Sequence, residues 1–248
     1  MTPPLVRRFA ANPTGRDLIV GDVHGCFTKL REDLAAVGFD PAAGDRLFSL
    51  GDLVDRGPES AQVLSWLDKP WFFAIAGNHE AMAVEYATGA VDAGLYAMNG
   101  GSWLIGMTPP ERLPYVDAFR DLPVAMELET AAGLLGLVHA DCPAPAWTQF
   151  TGRLEFGGLV RAAAIDAAQW SRGRIDFLQT DGVEGVLAVM VGHTPVQRFT
   201  SLGNVFYCDT GAWRQGGAIA DRFVIIDAAT LRPAVAPSLL DWGTHAPI

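Results

Sequence analysis

Basic residues are scarce in this chain. Eighteen lysines and arginines stand against 28 acids, a formal charge of −10 over 248 residues. That balance excludes a protein that tracks a polyanion such as nucleic acid through a basic face, and it leaves room only for a local positive site. Bound cations would add charge that the count omits. Cysteine is scarcer still. Cys26, Cys142 and Cys208 show no CxxC spacing, and an odd, sparse set suits a reducing compartment rather than a disulfide-stapled fold. No apolar run reaches the roughly 18 residues a membrane span needs. The N-terminal stretch MTPPLVRRFAANPTGRD has two arginines and no apolar segment, so it does not read as a secretory signal. The expected location is the cytoplasm. There is no internal repeat of about 20–50 residues.

Hydrophobic residues are plentiful, at 50%, enough for a sizeable core. The early chain alternates. Asp17–Val20, Arg46–Leu50 and Trp71–Ile75 read as buried strands. Cys26–Val37, a segment from Pro58 through Leu67, and His79–Ala87 read as the helices between and after them. Three strand–loop–helix units imply an α/β domain with parallel pairing. A helix at Glu111–Leu122 should follow Pro109-Pro110. Strands are expected at Val124–Glu129, Leu134–Val138, Val186–Val191, Asn204–Cys208 and Arg222–Asp227, with mixed or antiparallel pairing in this half. Residues Pro143–Thr180 read as loops with one short helix near Leu159–Trp170. No linker is evident. One domain over 1–248 is expected, with a core at about 17–227 and a tail from about 232 to 248.

Histidine is rare, with five in the chain, and four of them lie in short blocks that close apolar runs. The blocks are GDVHG at 21–25, GDLVDRG at 51–57, GNHE at 77–80, HAD at 139–141 and GHT at 192–194. In open α/β sheets, ligands gather beyond the carboxyl ends of strands. Asp22, His24, Asp52, Asn78, His139 and His193 should therefore meet on one rim of the sheet. Asp22 and His24 are two apart, so in an extended segment both could face one ion. The Asp52 carboxylate could bridge two ions, and Asn78, His139 and His193 would complete the second. Mixed oxygen and imidazole donors suit manganese, iron or zinc better than calcium or magnesium. Two carboxylates and a hydroxide against two divalent ions leave about one positive charge, which suits a phosphate dianion. Asp141 and Asp209 are either outer acceptors for His139 or His193, or turn residues. His245 carries no assignable role.

The series GDxHG, GDxVDRG, GNHE, H and GH resembles the signature of phosphoprotein phosphatase-type metallophosphoesterases. GDVHGCFTKL, GDLVDRGPES, MNGGSW, HADCP, QWSR, GHTP and YCDTGA are similar to the bacteriophage lambda-type serine/threonine protein phosphatases and their bacterial relatives. The resemblance implies a mixed β-sandwich flanked by helices, the calcineurin-like metallophosphoesterase fold, with a dinuclear metal site at strand C-terminal ends. It implies two divalent ions, manganese first, with iron or zinc as alternatives. Asp55 and His79 match the family's Asp–His pair, with His79 as general acid. Arg56 matches its phosphate-gripping arginine. Arg172 matches a second one, although Arg153, Arg161 and Arg174 lie nearby. A metal-bridging hydroxide would attack phosphorus in line, on a phosphoprotein or small phosphoester, with no nucleic acid or membrane partner. Symmetrical dinucleoside polyphosphate hydrolases share much of this pattern but tend to lack the aspartate found here at Asp55. Nucleases of the wider superfamily usually end in GHxH, where this chain has Pro195. A non-catalytic metal-binding interaction protein is the reading from another class.

Overall fold

The computed structural model describes residues 4–214 and 222–234. Among these residues, eleven short strands form two sheets. The strands are β1 (Val6–Phe9), β2 (Asp17–Val20), β3 (Arg46–Ser49), β4 (Phe72–Ala74), β5 (Ala125–Thr130), β6 (Gly133–Val138), β7 (Ala188–Val191), β8 (Thr200–Leu202), β9 (Val205–Tyr207), β10 (Ile226–Asp227) and β11 (Arg232–Pro233). One sheet has the order β1-β5-β6-β7-β9-β8 and the other β11-β10-β2-β3-β4. Strands β2, β3 and β4 pair in parallel, as the strand–loop–helix units imply. The later half is mixed: β6–β7 and β7–β9 are parallel, β5–β6 and β8–β9 antiparallel.

The helices are α1 (Phe27–Ala36), α2 (Val63–Leu67), α3 (Asn78–Thr88), α4 (Ala93–Met98), α5 (Ser102–Ile105), α6 (Pro109–Arg120), α7 (Trp147–Phe156), α8 (Gly158–Trp170) and α9 (Gly173–Asp176). Alternate side chains of a strand point to opposite faces, and the burial follows that rule. Ile19, Met126, Leu128, Leu135, Leu137, Ala188 and Met190 meet between the sheets. Leu18, Val20 and Leu47 face the other way, onto Phe27, Leu30 and Trp66. Val189, Val191 and Val205 face Trp147, Phe150, Leu154 and Ala168 of α7 and α8. Strands covered on both faces read as unbroken apolar runs, which is why the sequence marks them so plainly.

Several expectations change. The ligand-bearing strands do not share one sheet rim: β2–β4 belong to one sheet and β6 and β7 to the other, so the site spans the end of a sandwich. Pro58 does not open a helix, since a 3-10 turn at Ser60–Gln62 precedes α2. Pro109 and Pro110 lie inside the first turn of α6, where their missing N–H groups cost nothing. The segment Pro143–Thr180 is largely helical, because α7 and α8 cover the outer face of a sheet. Strand pairing also runs past the expected core, through β1 and β11. His245 and most of the expected tail lie outside the described residues.

Candidate metal centre

Five loops deliver the site: those after β2, β3, β4, β6 and β7. They bond to one another as much as to the sheets. Asp52 O accepts from Val23 N at 3.0 Å and from His24 N at 2.8 Å, and Leu53 O accepts from Gly25 N at 2.8 Å. Buried Glu80, in the first turn of α3, accepts from the N–H groups of Asp52, Leu53 and Gly77 at 2.9, 2.7 and 2.8 Å. One carboxylate thus ties the β3 loop to the start of a helix. Gly77 has to be small: a Cβ there would collide with the Asp52 carboxylate and lie 2.9 Å from His139 Cε1.

His24, Asp52, Asp55, Arg56 and His193 all take left-handed backbone, with φ of 44°, 49°, 69°, 65° and 62°. Such conformations cost about 1–3 kcal/mol each and persist where surroundings over-determine them. His24 therefore does not meet Asp22 through extended i, i+2 geometry. A tight turn brings its Nε2 to 3.9 Å from Asp22 Oδ2.

The six expected ligands converge and are buried. His24 Nε2 lies 3.6 Å from Asp52 Oδ2, and His139 Nε2 lies 3.3 Å from Asp52 Oδ1. Asn78 Oδ1 is 3.0 Å from His139 Nε2 and 2.9 Å from His193 Nδ1. Among the described residues, two groups have ligand atoms close enough to hold a cation: His24, Asp52 and His79, and Asp52, His139 and His193. Asp52 belongs to both. Asp22 Oδ1 accepts from His193 N at 2.8 Å, while its buried Oδ2 has no hydrogen-bond partner. His24 and His139 each direct Nδ1 to a backbone carbonyl, of Val54 at 2.8 Å and of Leu50 at 2.6 Å, so Nε2 faces the site in both. The role expected of Asp141 or Asp209 falls instead to Leu50 O at His139 Nδ1 and to Asn78 Oδ1 at His193 Nδ1.

The charges are frustrated without a cation. Burial drives Asp22 well above the carboxylate range, with Asp209 and Asp52 adding repulsion. Burial lowers His24 well below the usual imidazole value and takes His193 down to about 3, so their lone pairs are available. Burial also opposes charge on His139, but Asp52 and Asp22 outweigh it and carry the ring up to about 10. Divalent ions would replace that proton and satisfy Asp22 Oδ2, so the donor set fits a metal pair.

His79, grouped with His24 and Asp52 by distance, differs from the expected ligands in having a carboxylate on its other nitrogen: its Nδ1 is 2.7 Å from Asp55 Oδ2. Its buried Nε2 has no hydrogen-bond partner and lies 3.8 Å from Asp52 Oδ2. Arg56 Nη1 is 2.7 Å from His24 Nε2, and its guanidinium stacks 4.5 Å above Trp213. Arg172 Nε donates to His193 Nε2 at 3.3 Å. Its rivals point elsewhere: Arg153 bonds Pro143 O, Arg161 bonds Leu154 O, and Arg174 is buried against Asp141. Asp209 accepts from Gly211 N. Cys142 and Cys208 are buried packing residues. Burial takes the Cys142 thiol up to about 12 and Cys208 higher still. Sequence reasoning missed Glu80, Gln169, Tyr96, Trp103 and Trp213. The signal for Gln169 and Trp103 was present, since QWSR and MNGGSW contain them.

A sandwich with a ligand-rich mouth built from these blocks is the architecture of metallophosphoesterases, and the chain belongs to the calcineurin-like phosphoesterase family, whose model matches residues 16–197. Within it, the chain is 34% identical over 204 residues to serine/threonine-protein phosphatase 2 of Salmonella typhimurium, covering 80% of this chain and 88% of that protein. It is also 31% identical to a symmetrical bis(5'-nucleosyl)-tetraphosphatase of Paracidovorax citrulli, over 71% of this chain and 56% of that one. Its fold matches the cold-active protein-tyrosine phosphatase of a Shewanella species with a TM-score of 0.54 at 17% identity, over 84% of this chain and 73% of that one. Among the described residues no helix is long and apolar enough to cross a membrane.

Proposed function

We propose that this single-domain metallophosphoesterase is a phosphomonoesterase acting on phosphoserine and phosphothreonine in proteins. The observation that carries the reading is the buried Asp55–His79 pair, 2.7 Å apart, whose histidine belongs to one of the two groups of ligand atoms and whose aspartate belongs to neither. Asp22, His24 and Asp52 would hold one divalent ion, and Asp52, Asn78, His139 and His193 the other. Manganese is the first candidate, with iron or zinc as alternatives for the same donors. When bound, two such ions supply an acidified water and Lewis-acid stabilisation of phosphoryl oxygens. Sparse cysteines fit work in the cytoplasm.

Arg56 and Arg172 rest on histidines of opposite clusters, at His24 and His193. Their planar guanidinium groups would grip a phosphoryl group from both sides through bidentate hydrogen bonds. They would also offset charge that spreads over its oxygens in the transition state. His79 would protonate the departing alkoxide through Nε2, while Asp55 holds its other nitrogen. Alkoxides are poor leaving groups, and such help is typically worth about 10²–10⁴-fold.

The likeness to a symmetrical tetraphosphatase favours one second reading, hydrolysis of dinucleoside polyphosphates. The test is phosphate release from phosphoserine peptides and ADP formation from diadenosine tetraphosphate, as manganese, zinc, iron or magnesium is added to metal-free protein. The reading expects turnover of the peptide, highest with manganese. Turnover confined to diadenosine tetraphosphate would replace it with the second reading.

A further inference from the structure

Asp55 Oδ1 receives two donors besides the bond that Oδ2 makes to His79. Trp103 Nε1 donates at 2.6 Å and the Tyr96 hydroxyl at 3.0 Å. Both come from the α4–α5 segment, more than 40 residues along the chain. The same segment braces the neighbouring arginine: Gly100, at φ +96°, packs so closely on the backbone of Arg56 that a Cβ would strike Arg56 N. Asp55 and Arg56 both hold left-handed backbone, so the turn carrying them needs outside support. The support is itself anchored. The Trp103 ring meets Tyr115 of α6 edge-on at 5.1 Å, and Tyr96 lies 5.3 Å from Tyr86 of α3.

An indole N–H can only donate, and an ionised carboxylate can only accept. With Oδ1 occupied twice, Oδ2 is the oxygen left for His79 Nδ1–H. That fixes the ring's rotation and keeps Nε2 turned toward the ligand clusters.

We propose that Trp103, together with Tyr96, is a positioning residue for proton donation: it locks the Asp55 carboxylate so that His79 is held in one tautomer and one orientation. The MNGGSW segment thereby acquires a purpose that metal binding does not supply. Two glycines let it approach Arg56 and Tyr96 closely, and its tryptophan reaches the acid's partner. The inference rests on His79 as the proton donor.

The experiment compares kcat and KM for a phosphoserine peptide and for an aryl phosphate with a good leaving group, in Trp103→Phe, Tyr96→Phe, His79→Asn and the combination of Trp103→Phe with His79→Asn. Trp103→Phe should lower kcat on the peptide more than on the aryl phosphate, shifting the ratio roughly ten-fold, as loss of a charge-assisted hydrogen bond does. In the His79→Asn background the same change should leave the ratio where His79→Asn put it, because the group it positions is gone. Equal losses on both substrates, or a further shift of the ratio in the double variant, would overturn the proposal. Tyr96→Phe removes one donor and keeps the ring, so it gives the same comparison if Trp103→Phe does not fold. If His79→Asn itself loses both substrates equally, the proton-donor reading falls and takes this inference with it. If His79→Asn discriminates and neither clamp variant does, the positioning role alone is wrong.

Discussion

Arg174 Nε donates to Asp141 Oδ1 at 2.9 Å, both side chains nearly buried, and this pair decides which arginine reaches the site. Arg174 lies inside α9, and its Nη1 also bonds Asp181 O at 2.6 Å. With that helix pinned, the residue at its N-cap, Arg172, is presented to His193. One residue further back, Ser171 ends α8 in extended backbone, and before it Gln169 donates to Ala76 O at 3.1 Å. The segment is fastened at both ends, and Arg172 points inward between them.

Arg172 and Arg174 should therefore fail differently. Arg172→Ala is expected to lower kcat/KM roughly 10- to 100-fold and leave the melting temperature near that of the parent. Arg174→Ala strands a buried carboxylate, so it should cost about 3–5 kcal/mol of stability. Burial already pushes Asp141 upward against the pull of Arg174. Thermal melts beside steady-state kinetics check both. A stable Arg174→Ala would show that the pair does not brace the helix.

Gly77→Ala should damage metal binding although glycine contributes no ligand atom. Its φ is −81°, which any residue adopts, so the effect is purely one of space. The added Cβ would push on the carboxylate shared by both ligand clusters and on His139. A weakening of about 10- to 100-fold in metal affinity is expected, the range seen when the surroundings of ligands are disturbed. Calorimetric titration of metal-free protein measures it, and parental affinity would refute the crowding argument.

Acid stability should depend on Asp45, whose hydrogen bonds go to Arg16 and Asp40 and to none of the proposed metal ligands. Burial alone would raise its carboxyl. The Arg16 guanidinium and the N–H groups of Arg16 and Asp40 outweigh burial and hold it below the ordinary range. A folded-state value under the unfolded one adds stability that is present above about pH 4 and disappears as pH falls through the folded value. Asp45→Asn should flatten that acid slope and cost about 1–3 kcal/mol at neutral pH, because donors lose a charged acceptor. Urea melts between pH 7 and pH 3 give the comparison. Parallel curves for parent and variant would assign the slope to other carboxylates.

Residue types and their positions at strand ends can be read from the amino-acid order alone. Apolar runs covered on both faces are unmistakable, and Asp22, His24, Asp52, Asn78, His139 and His193 each follow one. The strands β2, β3 and β6 were legible for the same reason. What lay beyond local pattern was settled by packing. Two sheets share the ligands where one rim was expected, because hydrophobic alternation says which faces are buried and nothing about what they face. His24 meets Asp22 through a left-handed turn that depends on hydrogen bonds to the β3 loop, over 25 residues away. Asp55 was visible as a candidate, but its hold on His79 depends on Trp103 and Tyr96, brought close only when α4 and α5 dock. Arg172 could not be separated from Arg174 until a buried ion pair claimed one of them. Ligand chemistry is carried by residue identity, which a sequence states outright. Orientation is carried by contacts between distant segments, and only the tertiary structure supplies those.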